Sequence, residues 1–345
     1  MVFWFRLEGG ERLQEERALP EGVQVVEWNS RVPLRSWLDY ARMKQQFADV
    51  IARVQPDVIH AGPVQRVAFL AALCNFHPLV TMSWGFDLLA DAHQNIIWKA
   101  ITRFVLRRSD WLIADCQSVK KMAGRFGFDP QRVTVFPWGV DLQKFSPDKT
   151  NSARRCVGFE KSLLIVHTRS WEPRYGVEVA LEGLRIALRT NPHLHLLMLG
   201  GGSQEAQIKR FVAENDLSEH VHFLGYQSNE KLAEYYRAGD VYLSASHVDG
   251  SSVALLESMA CACVPIVSDI PSNLEWVESG VCGWTFQDGS AVELAGVLLQ
   301  AANTDLNDYS QRARQKVERE ADWEKGKEKL LDAYQSAISV VKNGK

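Results

Sequence analysis

Asp249-Gly-Ser-Ser-Val-Ala-Leu-Leu-Glu257 is the stretch whose residue types and spacing could do chemistry. Leu255, Leu256, Met259 and Ala260 give its second half a helical pattern of apolar faces. Ser251 and Ser252 are both suited to cap that helix, because a serine oxygen can accept a bond from an amide two or three residues on. Free amides at a helix start, with the positive end of its dipole, favour a phosphate. Glu257, on the second turn, can accept two hydroxyl hydrogen bonds, as a ribose would offer. Asp249, before the turn, can do the same for a sugar. A cation for the phosphate is available in Arg169, which follows the strand-like run Leu163–His167. A guanidinium makes forked, charge-assisted bonds to phosphate oxygens.

These residues need a frame. Asp240–Ser244 and Val264–Ser268 read as strands on either side of the central stretch. His195–Leu199 reads as another, followed by Gly200-Gly-Gly-Ser203 and a helix over 204–215. In the first half, strands are predicted at Val2–Leu7, Val23–Trp28, Asp57–His60, Pro78–Ser83, Trp111–Ala114 and Val133–Phe136. Helices are predicted at 36–54, 67–73, 93–108 and 118–126, and Trp84-Gly-Phe-Asp87 as a loop. Strands alternating with helices imply parallel, doubly wound sheets, which bind ligands at the carboxyl ends of their strands. The polar stretch 148–160 reads as a linker between two domains.

With 345 residues, 46% hydrophobic and 23% charged, the chain has room for two globular domains. No apolar run approaches the roughly 20 residues needed to span a bilayer. The start, Met-Val-Phe-Trp-Phe-Arg, lacks the basic and apolar regions of a signal peptide, so a cytoplasmic location is expected. Residues 1–150 carry 19 basic against 16 acidic side chains; the remainder carries 20 against 26. The mildly basic first half is compatible with an anionic acceptor or peripheral contact at the inner membrane face. Cys261-Ala-Cys263 lacks a second ligand pair and reads as small core residues; no metal site is expected.

The ordered motifs resemble those of the retaining glycosyltransferases of family 4. The central stretch resembles the family's E-x7-E element with Asp249 in place of the first Glu. Pro56-Asp-Val-Ile-His60 is similar to P-D-[VI]-[VI]-H. Trp138-Gly-Val-Asp-Leu-Gln-Lys-Phe-Ser-Pro147 is similar to N-G-V-D-x-x-x-F-x-P, with Trp138 for the usual Asn. Trp84-Gly-Phe-Asp87 stands where H-G-x-[DE] is usual, with Trp84 for the His. Thr168 to Gly176 resembles G-R-x5-K-G, in which Arg169 matches the Arg and Tyr175, beside Arg174, replaces the Lys.

The resemblance implies an α/β protein of GT-B type: two Rossmann-like, doubly wound parallel-sheet domains facing across a cleft. The expected bounds are an acceptor-side domain over 1–148, a nucleotide-sugar domain over 149–322 and a helix over 323–345 that crosses back. The implied reaction moves a sugar from a nucleotide-diphosphate sugar to an acceptor hydroxyl with retention, as in cell-surface polysaccharide or glycoconjugate synthesis. The acceptor would be a carbohydrate, glycolipid or small molecule; neither nucleic acid nor a tightly bound cofactor is expected.

The resemblance further implies catalytic roles for Asp249 and Arg169. Donor contacts would come from Gly250, Ser251, Ser252, Val253, Glu257, Tyr175, Arg174, Tyr226, Gln227 and Gly200. Trp84, Asp87 and Trp138 are candidates for a sugar or acceptor wall. The chain reads as starting at the family's second strand: Gly9-Gly10 is not the family's first glycine loop, because an acidic extended segment follows it. The rival expectation is a catalytically silent partner subunit on the same fold. A nucleotide-sugar epimerase fits less well, since its acid–base set is not evident.

Overall fold

A computed structural model describes residues 2–7, 23–28, 37–147 and 162–343. Gly9-Gly10 and the stretch 148–160, read as a linker from the sequence, lie outside these. Among the described residues three parallel sheets occur. Strands β1 (Val2–Leu7) and β2 (Val23–Trp28) pair with each other. A four-stranded sheet has the order β3-β4-β5-β6, from Ile59–Ala61, Leu79–Met82, Trp111–Ala114 and Val133–Val135. A six-stranded sheet comprises β7 (Leu163–His167), β8 (Leu194–Leu199), β9 (Val221–Gly225), β10 (Val241–Ser244), β11 (Val264–Ser268) and β12 (Trp284–Phe286). Its order is β12-β11-β10-β7-β8-β9.

The strands are short, apolar and enriched in β-branched residues, and helices cover them. Leu164 to His167, all of β10 and all of β11 are buried, as both-sided burial of a parallel sheet requires. Two cores lie on the faces of the six-stranded sheet. One gathers Leu181, Leu184, Leu196, Leu243, Ile266 and Leu298; the other gathers Leu164, Val166, Tyr236, Tyr242, Leu256 and Met259. In the first half, Leu79, Leu112, Ala68, Leu70 and Val105 form a separate core.

One local expectation changes. The spacing predicts a single helix over 93–108 after a loop at 84–87. Instead a short helix spans Phe86–Leu89, a 3-10 turn spans Asp91–His93, and the long helix spans Ile96–Arg108. The break is made by Asn95, whose side-chain oxygen accepts from the Ile97 and Trp98 amides, both at 3.0 Å. Such a cap is worth about 1 kcal/mol, enough to place a helix start that apolar spacing leaves open.

The two halves are tied at the end of the second. The Val140 amide donates to the Ala321 carbonyl at 2.7 Å, and the Trp323 amide donates to the Val140 carbonyl at 3.0 Å. Trp138 and Gly139 both have positive φ, 60° and 75°, and a Cβ on Gly139 would come 2.8 Å from the Trp323 Cα. The helix Trp323–Asn343 then packs on β4, β5 and β6, with Ala333 and Ala337 against Val80, Ile113 and Phe136.

Candidate active site

The six-stranded sheet reverses direction between β7 and β10: the chain runs outward to β9 on one side and to β12 on the other. Such a switch point leaves a crevice at the strands' carboxyl ends, because the loops there diverge. Arg169 leaves β7 and Asp249 follows β10, so strand order alone brings together two residues 80 positions apart. The Arg169 Nη2 lies 2.6 Å from Asp249 Oδ2, and its Nη1 donates to Ser252 Oγ at 2.9 Å. Its guanidinium carbon stands 4.2 Å from the centre of the Tyr175 ring, a cation–π contact. Burial works against the Arg169 charge, but Asp249 and the tyrosines Tyr242, Tyr175 and Tyr236 hold its proton more firmly than usual. For Asp249, burial pushes the carboxyl up, against the pull of Arg169 and of the Gly250 amide, which donates at 3.0 Å.

Ser252 caps the helix Val253–Ala260, accepting from the Leu255 amide at 3.4 Å. Val253 is partly exposed at that end, and Glu257 is half-buried on the second turn, close enough to Tyr236 to raise its hydroxyl further beyond what burial does. Gly176 lies against Ala245, where a Cβ would come 2.0 Å from the carbonyl oxygen, so the Arg169–Tyr175 loop can close onto β10 only with glycine there. Tyr226 is 75% exposed beside Gly201, while Gln227 donates to the Leu224 carbonyl at 2.6 Å. At Gly200, φ is 98° and nothing lies within 4 Å of an added Cβ. The glycine therefore serves the turn and leaves open space beside it.

From the first half, the 84–87 turn meets this crevice. A Cβ on Gly85 would come 2.3 Å from Gly250, and the Arg174 guanidinium lies 4.5 Å from the centre of the Phe86 ring. Trp84 is 45% exposed. Asp87 is not available as a wall: it is fully buried. Its carboxylate accepts from the Ser83 hydroxyl at 2.5 Å and from the amides of Val64, Trp84 and Leu88. It shapes the turn that presents Trp84. Trp138 packs against the cluster of Phe136, Ala333 and Ala337, beside Tyr334.

Ser251 is also spoken for. Its hydroxyl donates to the Asp115 carbonyl at 2.6 Å and accepts from Trp276 Nε1 at 3.0 Å; its amide faces Asp115 Oδ2 at 3.2 Å. Asp115 carries no sequence motif of its own. The available signal was an aspartate at the carboxyl end of a buried strand, where these folds place ligand-side groups.

The fold and the crevice define a GT-B protein: two parallel-sheet α/β halves that meet at the carboxyl ends of their strands. The comparisons agree. The description Glycosyltransferase Family 4 matches residues 2–144, and Glycosyl transferases group 1 matches residues 149–320. The chain belongs to this glycosyltransferase family.

It is 29% identical over 203 residues to the amylovoran biosynthesis glycosyltransferase AmsK of Erwinia amylovora, covering 56% of this chain and 48% of that one. It is 27% identical over 251 residues to the D-inositol 3-phosphate glycosyltransferase of Rhodococcus erythropolis, covering 70% and 57%. The matches thus span about half the length of these curated relatives. Against the colanic acid biosynthesis glycosyltransferase WcaL of Salmonella typhimurium, described as putative, identity is 26%, covering 80% and 68%. Among solved structures, Anabaena HepE in complex with UDP and glucose superposes with a TM-score of 0.75 at 18% identity, covering 91% and 86%. Sucrose-phosphate synthase of Thermosynechococcus elongatus gives 0.78 at 19%, covering 91% and 83%.

Proposed function

We propose that this protein is a retaining glycosyltransferase that takes a sugar from a nucleotide-diphosphate donor and gives it to an acceptor hydroxyl in polysaccharide or glycoconjugate synthesis. The observation that carries this is the meeting of Arg169, Asp249 and Ser252 at the switch point, at the start of the Val253–Ala260 helix. On this reading the diphosphate takes the free amides at Ser252 and Val253 and a share of Arg169. The buried Arg169 Nε has no hydrogen-bond partner. Asp249 meets the sugar, Glu257 the ribose, and the Gly200 and Tyr226–Gln227 turns the base. A uridine donor is the first to test, since HepE is solved with UDP. AmsK and WcaL motivate the polysaccharide setting.

In the step itself the bond from the anomeric carbon to the diphosphate oxygen breaks, and the acceptor oxygen bonds to that carbon on the same face. The acceptor proton passes to the leaving phosphate oxygen. Helix amides and Arg169 stabilise the charge that develops on that oxygen, the main electrostatic task in such a transfer. Asp249, engaged with Arg169, orients the sugar rather than attacking it.

One observation favours a second reading, a silent binding subunit: the Arg169 charge is already matched by Asp249 at 2.6 Å. The deciding experiment offers a panel of nucleotide-diphosphate sugars and follows nucleotide release and product anomer by NMR. Transfer with retained configuration is expected. A protein that binds UDP yet neither transfers nor hydrolyses any donor would be the silent subunit.

The protein is also proposed to touch an anionic membrane surface. Among the described residues no helix is long and apolar enough to cross a membrane. The helix Ile96–Arg108, however, exposes Ile96 and Ile97 (82% and 62%) and carries Lys99, Arg103, Arg107 and Arg108 with no acidic residue.

A further inference from the structure

We propose that Asp115 is a positioning residue that closes the cleft by gripping the Ser251 turn, and so governs turnover without holding the nucleotide. The inference rests on the transferase reading for its kinetic consequence, but not for its geometry. Asp115 follows β5 in the first half of the chain and is 2% exposed. It holds Ser251 of the second half at two points, the amide on Oδ2 and the hydroxyl on its carbonyl. Gly250 makes this possible: a Cβ there would sit 1.6 Å from Asp115 Oδ2.

The next residues are gripped in return. Glu275 accepts from the amides of Gln117 and Ser118, both at 2.8 Å, and from the Ser118 hydroxyl at 2.6 Å. Residues 115–118 are thus clasped by 251 and 275 from the other half.

The charge state explains why a carboxyl can sit there. Burial, then the nearby carboxylates of Asp87 and Asp249, push Asp115 up to about 8, while the Ser251 amide and the Cys116 side chain pull it back. At neutral pH the group keeps its proton and adds no further negative charge beside Asp249. The grip is therefore a neutral hydrogen bond of fixed shape, which an asparagine can reproduce. Its target is adjacent to Ser252 and two residues from Asp249. A shift of that turn of about 1 Å would misplace the sugar while leaving the nucleotide on its own domain, a kind of error that costs on the order of 100-fold in rate.

The test compares Asp115→Ala with Asp115→Asn. Transfer kinetics, UDP affinity by calorimetry and radius of gyration by X-ray scattering with saturating UDP are read on each. Asp115→Ala should lower kcat by at least about tenfold, leave the UDP Kd within about twofold and expand the particle. Asp115→Asn should stay close to wild type in all three.

Wild-type kcat and radius in the alanine variant would overturn the proposal. So would an asparagine variant as impaired as the alanine one, or a UDP affinity that falls in step with kcat. If the wild type transfers from no donor, the functional reading fails alone, and the scattering comparison still decides the grip. If Asp115→Ala does not fold, Ser251→Ala, which removes the hydroxyl half of the grip together with the acceptor of Trp276 Nε1, replaces it, with Trp276→Phe as the control for that second loss. Ser251→Ala should expand the particle and slow transfer; wild-type behaviour there would count against the grip.

Discussion

At the scale of single residues, Arg169 is the side chain on which the donor reading depends most. Arg169→Ala should weaken UDP binding by about 1.5–3 kcal/mol, the range for a hydrogen bond to a charged group, and calorimetry measures it directly. Unchanged affinity would remove Arg169 from the donor site. The two acids should separate in kinetics. Glu257→Gln is expected to raise the donor KM through the ribose, whereas Asp249→Asn should lower kcat more than nucleotide affinity. His167 gives a pH prediction. It is fully buried with neither ring nitrogen partnered, and burial, then Arg169, lower its pKa to about 3. Between about pH 3 and the ordinary value of 6.5 the unfolded chain binds a proton that the native state refuses. The stability it contributes is present above pH 6.5 and is lost as pH falls through that window. His167→Leu, of similar bulk, should flatten the decline in denaturant midpoint between pH 7 and pH 4. His60, lowered to about 4 by burial, will leave part of the slope in place.

At the scale of elements, periodicity was enough to find most strands and helices, because each is a local pattern of apolar spacing. It failed over 84–95, where Asp87 and Asn95 spend their side chains on nearby amides: a short helix replaces the expected loop, and the long helix starts at Ile96 rather than at His93. The helix Ile96–Arg108 that results carries the membrane prediction. Each basic side chain near an anionic surface is worth about 1 kcal/mol. Arg103→Ser with Arg107→Ser should therefore lower partitioning onto phosphatidylglycerol vesicles by about 2 kcal/mol, roughly 30-fold. Ile97→Glu should lower it further, and sedimentation with the vesicles reads both. Equal binding of the wild type to phosphatidylcholine vesicles, or none to either, would discard the surface. Transfer to a soluble acceptor should be unaffected, since Arg103 and Arg107 lie outside the crevice.

At the scale of the whole molecule, the last helix joins the second half to the first. Tyr334 on that helix reaches His60 Nδ1 at 2.7 Å, with the rings edge to face at 5.6 Å. Burial lifts the Tyr334 hydroxyl to about 12, so it remains protonated. Tyr334→Phe should cost about 1 kcal/mol of stability, seen as a lower chemical denaturation midpoint; no change would mean that packing alone holds the helix. The sequence by itself determined the class of fold, since alternating strand and helix patterns admit few arrangements besides parallel sheets. It also placed Arg169 and Asp249 in loops that follow strands, because glycines, serines and charged residues interrupt the apolar runs there. Only the tertiary structure decided that those loops meet, because β7 and β10 become neighbours through a crossover that no local pattern encodes. Asp115 and Ser251 stand 136 residues apart, and their chemistry depends on a contact between loops of two different sheets. The same contact gave Ser251 its partner, and turn geometry took Asp87 out of the cleft. Burial and hydrogen-bond partners are set by the whole packing, so a residue's type in the chain can name what it could bind but not what it already holds.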